Sequence, residues 1–298
     1  MLERKFAENL EKFLLHEPRK ILLVNGARQI GKSYLIRYVG KKLFKHFVEI
    51  NLKADQEGDG IFKTVRSKED FYLQLGAMAG NNLGSKDDTL VFLDEIQSYP
   101  HLMTMLKFLN EDGKYRYVAS GSQLGVALSQ TPSVPIGSIA VQQMYPLDFE
   151  EFLWALNNET LMPLIRMNFQ KRHEMGQMMH RMAMDYFRQY LIVGGMPQAV
   201  AKFVETRDFN KVDRVKRQIL TLYRNDIQKY ASTYVFKVTQ IFDTIPSQLQ
   251  KHEKKFMLKA LTEGARMRDY ETAFFWLSDA MIVNMAYNTT EPSIGLGM

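Results

Sequence analysis

The sequence predicts an α/β fold: a parallel sheet between two layers of helices, followed by a helical region. Three observations carry this. Apolar runs of strand length alternate with amphipathic stretches from residue 19 to residue 146. A glycine-bearing turn joins the first apolar run, Ile21 to Val24, to a helical stretch, Tyr34 to Val39. From Phe149 onward the periodicity is helical almost to the end.

Taken in order, residues 2–16 read as a lead-in helix with Leu2, Phe6, Leu10, Phe13 and Leu14 on one face. Phe47 to Leu52 is expected to be a strand and Phe71 to Met78 a helix, with a turn-rich connection over residues 80–86. Thr89 to Leu93 is apolar throughout, as in a strand buried on both faces, and Tyr115 to Ala119 and Ile139 to Met144 complete the sheet. Leu161 to Ala183 carries Met162, Met167, Met175, Met178, Met179 and Met182, a composition suited to adaptable core packing. Gly194-Gly195-Met196-Pro197 reads as a helix stop and restart. Residues 207–229 form a helix with Val212, Val215, Ile219, Leu222, Tyr223 and Ile227 as its apolar stripe. Phe256 to Glu263 is expected to be helical, residues 264–268 a turn, Tyr270 to Asp279 a second helix and Met281 to Asn288 a strand, an order that resembles a winged helix-turn-helix. The expected parts are a lead-in helix over 1–18, an α/β domain over 19–147, a helical domain over 148–235 and a winged-helix-like unit over 236–298.

The chemistry is concentrated in the turn after the first strand. Gly26-Ala27-Arg28-Gln29-Ile30-Gly31-Lys32-Ser33 is a complete G-x-x-x-x-G-K-[ST] phosphate-binding loop in its proper strand-to-helix setting. Residues 26 to 34, through Tyr34, are therefore the expected nucleotide contacts: Gly26 and Gly31 allow close backbone approach, and Lys32 brings a charge to the β- and γ-phosphates. The Ser33 hydroxyl suits Mg²⁺. Asp94-Glu95 ends the apolar strand at what would be the carboxyl edge of the sheet. Asp94 is suited to hold the metal and Glu95 to act as general base toward water. The bland alternative for this pair is an N-cap for the following helix. Ser122 and Gln123, in Ser120-Gly121-Ser122-Gln123, are candidates to sense the γ-phosphate, or simply a turn after a strand.

With these motifs in place the chain resembles AAA-type P-loop ATPases. More narrowly it resembles the bacterial and archaeal group with an AAA_14 domain followed by a DUF4143 region, through Asp94-Glu95-Ile96-Gln97, Tyr145-Pro146-Leu147-Asp148-Phe149-Glu150-Glu151-Phe152-Leu153, Gly194-Gly195-Met196-Pro197 and Trp276-Leu277-Ser278-Asp279-Ala280. The resemblance implies a three-layer AAA-like P-loop core and Mg-dependent ATP hydrolysis that moves the helical C-terminal part. Two departures stand out. Gly137-Ser138 occupies the place where the group often has Gly-Arg, and the chain ends at Met298 where similar members usually continue into a nuclease-like portion. The missing Gly-Arg pair and the absence of a certain arginine finger favour a rival reading, a nucleotide-gated binding switch for protein or DNA with negligible turnover. A small-molecule phosphotransferase would need an acceptor pocket and an arginine-rich lid. Arg224 is the candidate arginine finger, weighed against a surface ion pair.

Composition sets the outer bounds. With 46% hydrophobic and 24% charged residues over 298 positions the chain can bury more than one core. It has no apolar run near membrane-spanning length and no signal-peptide core at its start, so the cytoplasm is the expected compartment. There is no Cys, and the six His show no metal-ligand spacing, which leaves Mg²⁺ as the expected metal. The net charge of +6 permits contact with DNA without requiring it. Arg266 and Arg268 could touch phosphates, although the helix after them is largely apolar and better suited to packing or to docking a protein, a second copy included.

Overall fold

A computed structural model describes residues 2–122, 137–252 and 255–287. The chain divides into two compact units, Met1–Asn225 and Asp226–Met298.

In the first unit the strands β1 (Ile21–Asn25), β2 (His46–Asn51), β3 (Thr89–Asp94), β4 (Arg116–Gly121) and β5 (Ile139–Gln143) form one sheet in the order β2-β3-β4-β1-β5. Every pairing is parallel. All residues of β1 and β3 are buried, because helices cover both faces, whereas β5 alternates as an edge strand does. The register pairs Asn25 with Gly121 and Leu93 with Ala119, so β1, β3 and β4 end along one line. In such sheets ligands bind at this carboxyl edge, where the strand order reverses about β1.

Helices α1 (Lys5–His16), α2 (Lys32–Leu43), α3 (Leu52–Glu57), α4 (Lys68–Ala79) and α5 (Pro100–Asp112) flank the sheet. The core on one face gathers Leu23, Ile50, Phe62, Phe71, Leu93 and Leu106, each at most 1% exposed. The chain then turns helical: α6 (Phe149–Ala155), α7 (Leu161–Lys171), α8 (Gln177–Val193), α9 (Pro197–Thr206) and α10 (Phe209–Tyr230). Asp148 and Glu151 close a capping box that starts α6. Leu147, Phe152, Val193, Val200, Phe203 and Val212 form the core of this region. Within the second unit, α11 (Val235–Leu249) packs against α12 (Met267–Asp279) through contacts that include Tyr270, whose hydroxyl donates to Gln240 Oε1 at 3.2 Å.

The α/β sheet and the helical turnover after Phe149 agree with the sequence; several details do not. Leu2 lies outside the lead-in helix and packs on the helical core instead. The methionine-rich stretch is broken between α7 and α8, where Arg172 and Gly176 have positive φ of 53° and 74°. Met162, Met175 and Met179 pack beside Leu153 and Leu161, but Met167, Met178 and Met182 are exposed, so only part of that stretch is core. The expected helix over Phe256 to Glu263 is only a short 3-10 turn, Leu258–Ala260. The Gln248 side chain explains this: it donates to Met257 O at 3.0 Å and accepts from Met257 N at 3.1 Å, holding that residue extended. Residues 281–287 form no strand, and their chain folds back so that Ile282 N donates to Leu277 O at 3.0 Å. The winged-helix order is therefore not completed among the described residues, and Asn288 lies outside them. Helix α11 lies within the stretch of helical periodicity and carries Pro246 in its last turn.

Gly194-Gly195-Met196-Pro197 has a structural reason. Gly194 ends α8 with φ 77°, and Leu147 N donates to Gly195 O at 2.7 Å. A Cβ on Gly195 would stand 2.1 Å from Leu147 O, with no flexible atom to yield. Gly195→Ala is expected to lower stability by roughly 2 kcal/mol or more, by thermal or urea unfolding.

Candidate functional site

The loop between β1 and α2 is shaped by two left-handed residues, Gln29 with φ 64° and Gly31 with φ 91°. Such alternation curls successive N–H groups toward one point, the geometry of an anion nest, and α2 begins directly behind it. Gly26 is required by proximity: a Cβ there would meet Ile30 Cδ1 and Met144 O, both at 2.6 Å. Ile30 is fully buried, so its side chain props the loop from beneath. Lys32 is buried too, and its ammonium donates to the carbonyls of Gly26 and Ala27, both at 2.8 Å. Burial pushes its pKa down to about 8, against the pull of Glu95 and Asp94.

Asp94 ends β3 beneath the loop. Ser33 Oγ donates to its Oδ2 at 2.8 Å, the Ser120 hydroxyl donates to Oδ1, and Glu95 N donates to Oδ1 at 3.1 Å. Burial still raises its pKa above the ordinary carboxylate value, the two hydroxyls opposing that shift. Glu95 follows with φ 54°, a conformation rare outside glycine. Its carboxylate accepts from the Gln97 amide and from Ser122 Oγ at 3.3 Å. Ser122 Oγ accepts in turn from Arg28 Nε at 3.2 Å. Thus a loop residue, the end of β4 and Glu95 share one hydrogen-bond chain.

The structure brings the expected residues together. Arg28, Gln29, Gly31, Lys32, Ser33, Tyr34 and Glu95 line a cleft of about 360 Å³, joined by Lys53 from α3. Tyr34 is half exposed at its rim. Gln123 lies outside the described residues. Arg224 is on α10 next to Tyr223, whose hydroxyl donates to Arg28 O at 3.0 Å. Sequence reasoning passed over Ser120, Gln97 and Lys53 as site residues. Ser120 had a signal, since it alternates with Ser122 on the strand end, but Lys53 had none.

For a divalent metal, Ser33 and Asp94 supply two hard oxygens already in contact. Among the described residues no group of three His, Asp or Glu could hold an ion alone, so phosphate and water must supply the remaining ligands. Asn25 Oδ1, Gln29 Oε1 and Gln97 Oε1 are shielded acceptors without a hydrogen-bond partner, which suits donors such as metal-bound water.

Residues 18–153 match the family model of an AAA domain, AAA_14. The parallel sheet and loop just described fall within that match, and a helical region follows them. Residues 184–297 match a second model, DUF8612, a domain of unknown function. No curated protein matches the sequence. Similar solved structures include the Walker-type ATPase of Pyrococcus abyssi, 14% identical over 94% of this chain and 90% of that one, TM-score 0.48. DnaA from Aquifex aeolicus with AMPPCP bound is 13% identical over 92% and 87%, TM-score 0.39. Cdc6p from Pyrobaculum aerophilum is 15% identical over 53% and 50%, TM-score 0.37. Among the described residues, no helix is long and apolar enough to cross a membrane.

The Lys32 pKa sets two expected outcomes. An unfolded lysine holds its proton to 10.5 and the folded one only to about 8, so its burial destabilises the empty protein fully below pH 8 and less as pH rises to 10.5. Lys32→Met should therefore leave the melting temperature of the empty protein at pH 7 unchanged or raised, while abolishing the rise given by a triphosphate. Because phosphate selects the ammonium form, affinity should fall roughly tenfold per pH unit above about pH 8 in an equilibrium titration.

Proposed function

We propose that the chain binds Mg-ATP in the cleft at the carboxyl edge of the sheet and hydrolyses it slowly, coupling nucleotide state to a change in the helical C-terminal part. One observation carries this: a phosphate-binding loop whose Ser33 hydroxyl already touches Asp94, with Glu95 next in the chain. Lys32 exchanges its two loop carbonyls for the β- and γ-phosphates and neutralises charge that develops on them. Ser33 and Asp94 would hold Mg²⁺, which when bound screens the phosphates and orients them. Glu95 takes the proton of the attacking water. Ser122 is suited to report the γ-phosphate, because it stands between Arg28 and Glu95. Arg224 remains the candidate finger, and the narrower kinship with ATPases carrying a DUF4143 region belongs to the same proposal.

A second reading has its own support. Glu95 is engaged by Gln97 and Ser122, and Ser138 stands where the group this chain resembles often has an arginine. Both favour a nucleotide-gated switch with negligible turnover. Duplex DNA is one partner worth offering it: Arg266 and Arg268 are exposed before and at the start of α12, while Tyr270, Ala273, Trp276 and Leu277 of that helix turn inward. Asp94-Glu95 beside the cleft favours water over a small-molecule acceptor.

Phosphate release from Mg-ATP, with and without duplex DNA, separates the readings. Under the ATPase proposal Glu95→Gln lowers the rate roughly 10²- to 10⁴-fold and Lys32→Ala abolishes it. Binding of ATP with no release above the Glu95→Gln background in either condition would leave the switch as the better account.

A further inference from the structure

Arg4 is a buried arginine for which the nucleotide reading alone has no task. Its guanidinium reaches three separate elements. Nε donates to Glu151 Oε1 at 3.2 Å, Nη1 to the carbonyl of Ile30 at 3.0 Å, and Nη2 to the carbonyl of Tyr145 at 2.5 Å. Ile30 belongs to the phosphate-binding loop, Tyr145 to the exit from β5, and Glu151 to the first turn of α6. Glu151 also accepts from Lys5 N at 2.8 Å and, through its other oxygen, from Asp148 N at 3.1 Å, so the same carboxylate closes the α6 capping box.

A buried ion pair is a weak source of stability, because desolvation offsets much of its attraction. What the planar guanidinium fork supplies is geometry, with several donors at fixed angles. That matters at Ile30. An anion nest works only when its N–H groups face the ligand and its carbonyls do not. A carbonyl held by a guanidinium is kept from turning inward. The fork's other donors fix the start of α6, the first helix of the helical region.

We propose that Arg4 is a positioning residue for nucleotide: it holds the Ile30 carbonyl out of the phosphate seat and transmits the response of the loop to α6 through Glu151. This rests on the nucleotide reading above. Any displacement of the loop on filling must either carry the guanidinium with it or break the Ile30 contact, and both alter what Glu151 receives at the start of α6.

The test compares the full chain with Arg4→Lys, Arg4→Gln and Glu151→Gln. Two quantities are read below every melting temperature: the dissociation constant for the magnesium complex of AMPPCP, and amide hydrogen exchange over residues 148–156 with and without it. In the unchanged chain the analogue is expected to bind and to alter exchange over 148–156. Both Arg4 variants should weaken binding roughly tenfold or more. Glu151→Gln should retain binding but lose the response at 148–156. Arg4→Lys keeps the charge without the fork, and carries the test if Arg4→Gln does not fold. A melting temperature that drops while affinity and the 148–156 response stay as in the unchanged chain would mean a purely structural role and overturn the proposal. Binding by the unchanged chain without a response at 148–156 overturns it too, leaving the nucleotide reading intact. Absence of binding by the unchanged chain removes that reading, and this one with it.

Discussion

Asp94 is a carboxylate at the end of a wholly buried strand, and burial alone would favour its neutral form. It is held by hydroxyls from two other elements, Ser33 on α2 and Ser120 on β4, and by the amide of Glu95. Those donors only partly replace water. A carboxylate kept in such a place is paired, hydrogen-bonded or destined for a cation, since an isolated one would be too costly. The Ser33 contact ties β3 to the helix behind the phosphate loop, and the Ser120 contact ties it to β4. The rest of the site is arranged around this point.

The strand order makes that meeting possible. β4 lies between β3 and β1, so residues that end these three strands become neighbours although they lie far apart in the chain. Parallel pairing puts all the carboxyl ends on one edge, and the register brings Ser120 level with Val24. A polar chain can then run from Arg28 in the loop through Ser122 to Glu95. An antiparallel β4 would send its tip to the opposite edge and leave the loop facing Asp94 alone.

The link from this core to the helical region is equally physical. Leu147 is clasped by Gly195, whose missing side chain leaves room for the approach, and by Tyr190, whose hydroxyl donates to Leu147 O at 2.8 Å. One residue further, Asp148 opens the capping box that Glu151 completes. The loop, the strand exit and the first helix thus share a short path through buried polar contacts. The second unit is held by its own contacts between α11 and α12 and by the Gln248 clamp on Met257, which displaces the expected helix.

The sequence by itself determined the parts whose cause is local. The phosphate loop is legible because its glycines answer to backbone angle and close approach. The buried strands β1 and β3 are legible because burial on both faces demands an unbroken apolar run. Glu95 and Asp94 follow because they end such a run. The three-dimensional fold alone decided that Ser120 holds Asp94, that Gln97 and Ser122 hold Glu95, that Lys53 borders the cleft and that Arg4 grips Ile30. It also decided where the helical expectation failed, since a side-chain amide nine residues away captures the backbone of Met257. Such contacts join single polar residues across long stretches of chain, and a single polar residue leaves no periodicity to read until the sheet and helices have brought its partner within hydrogen-bond reach.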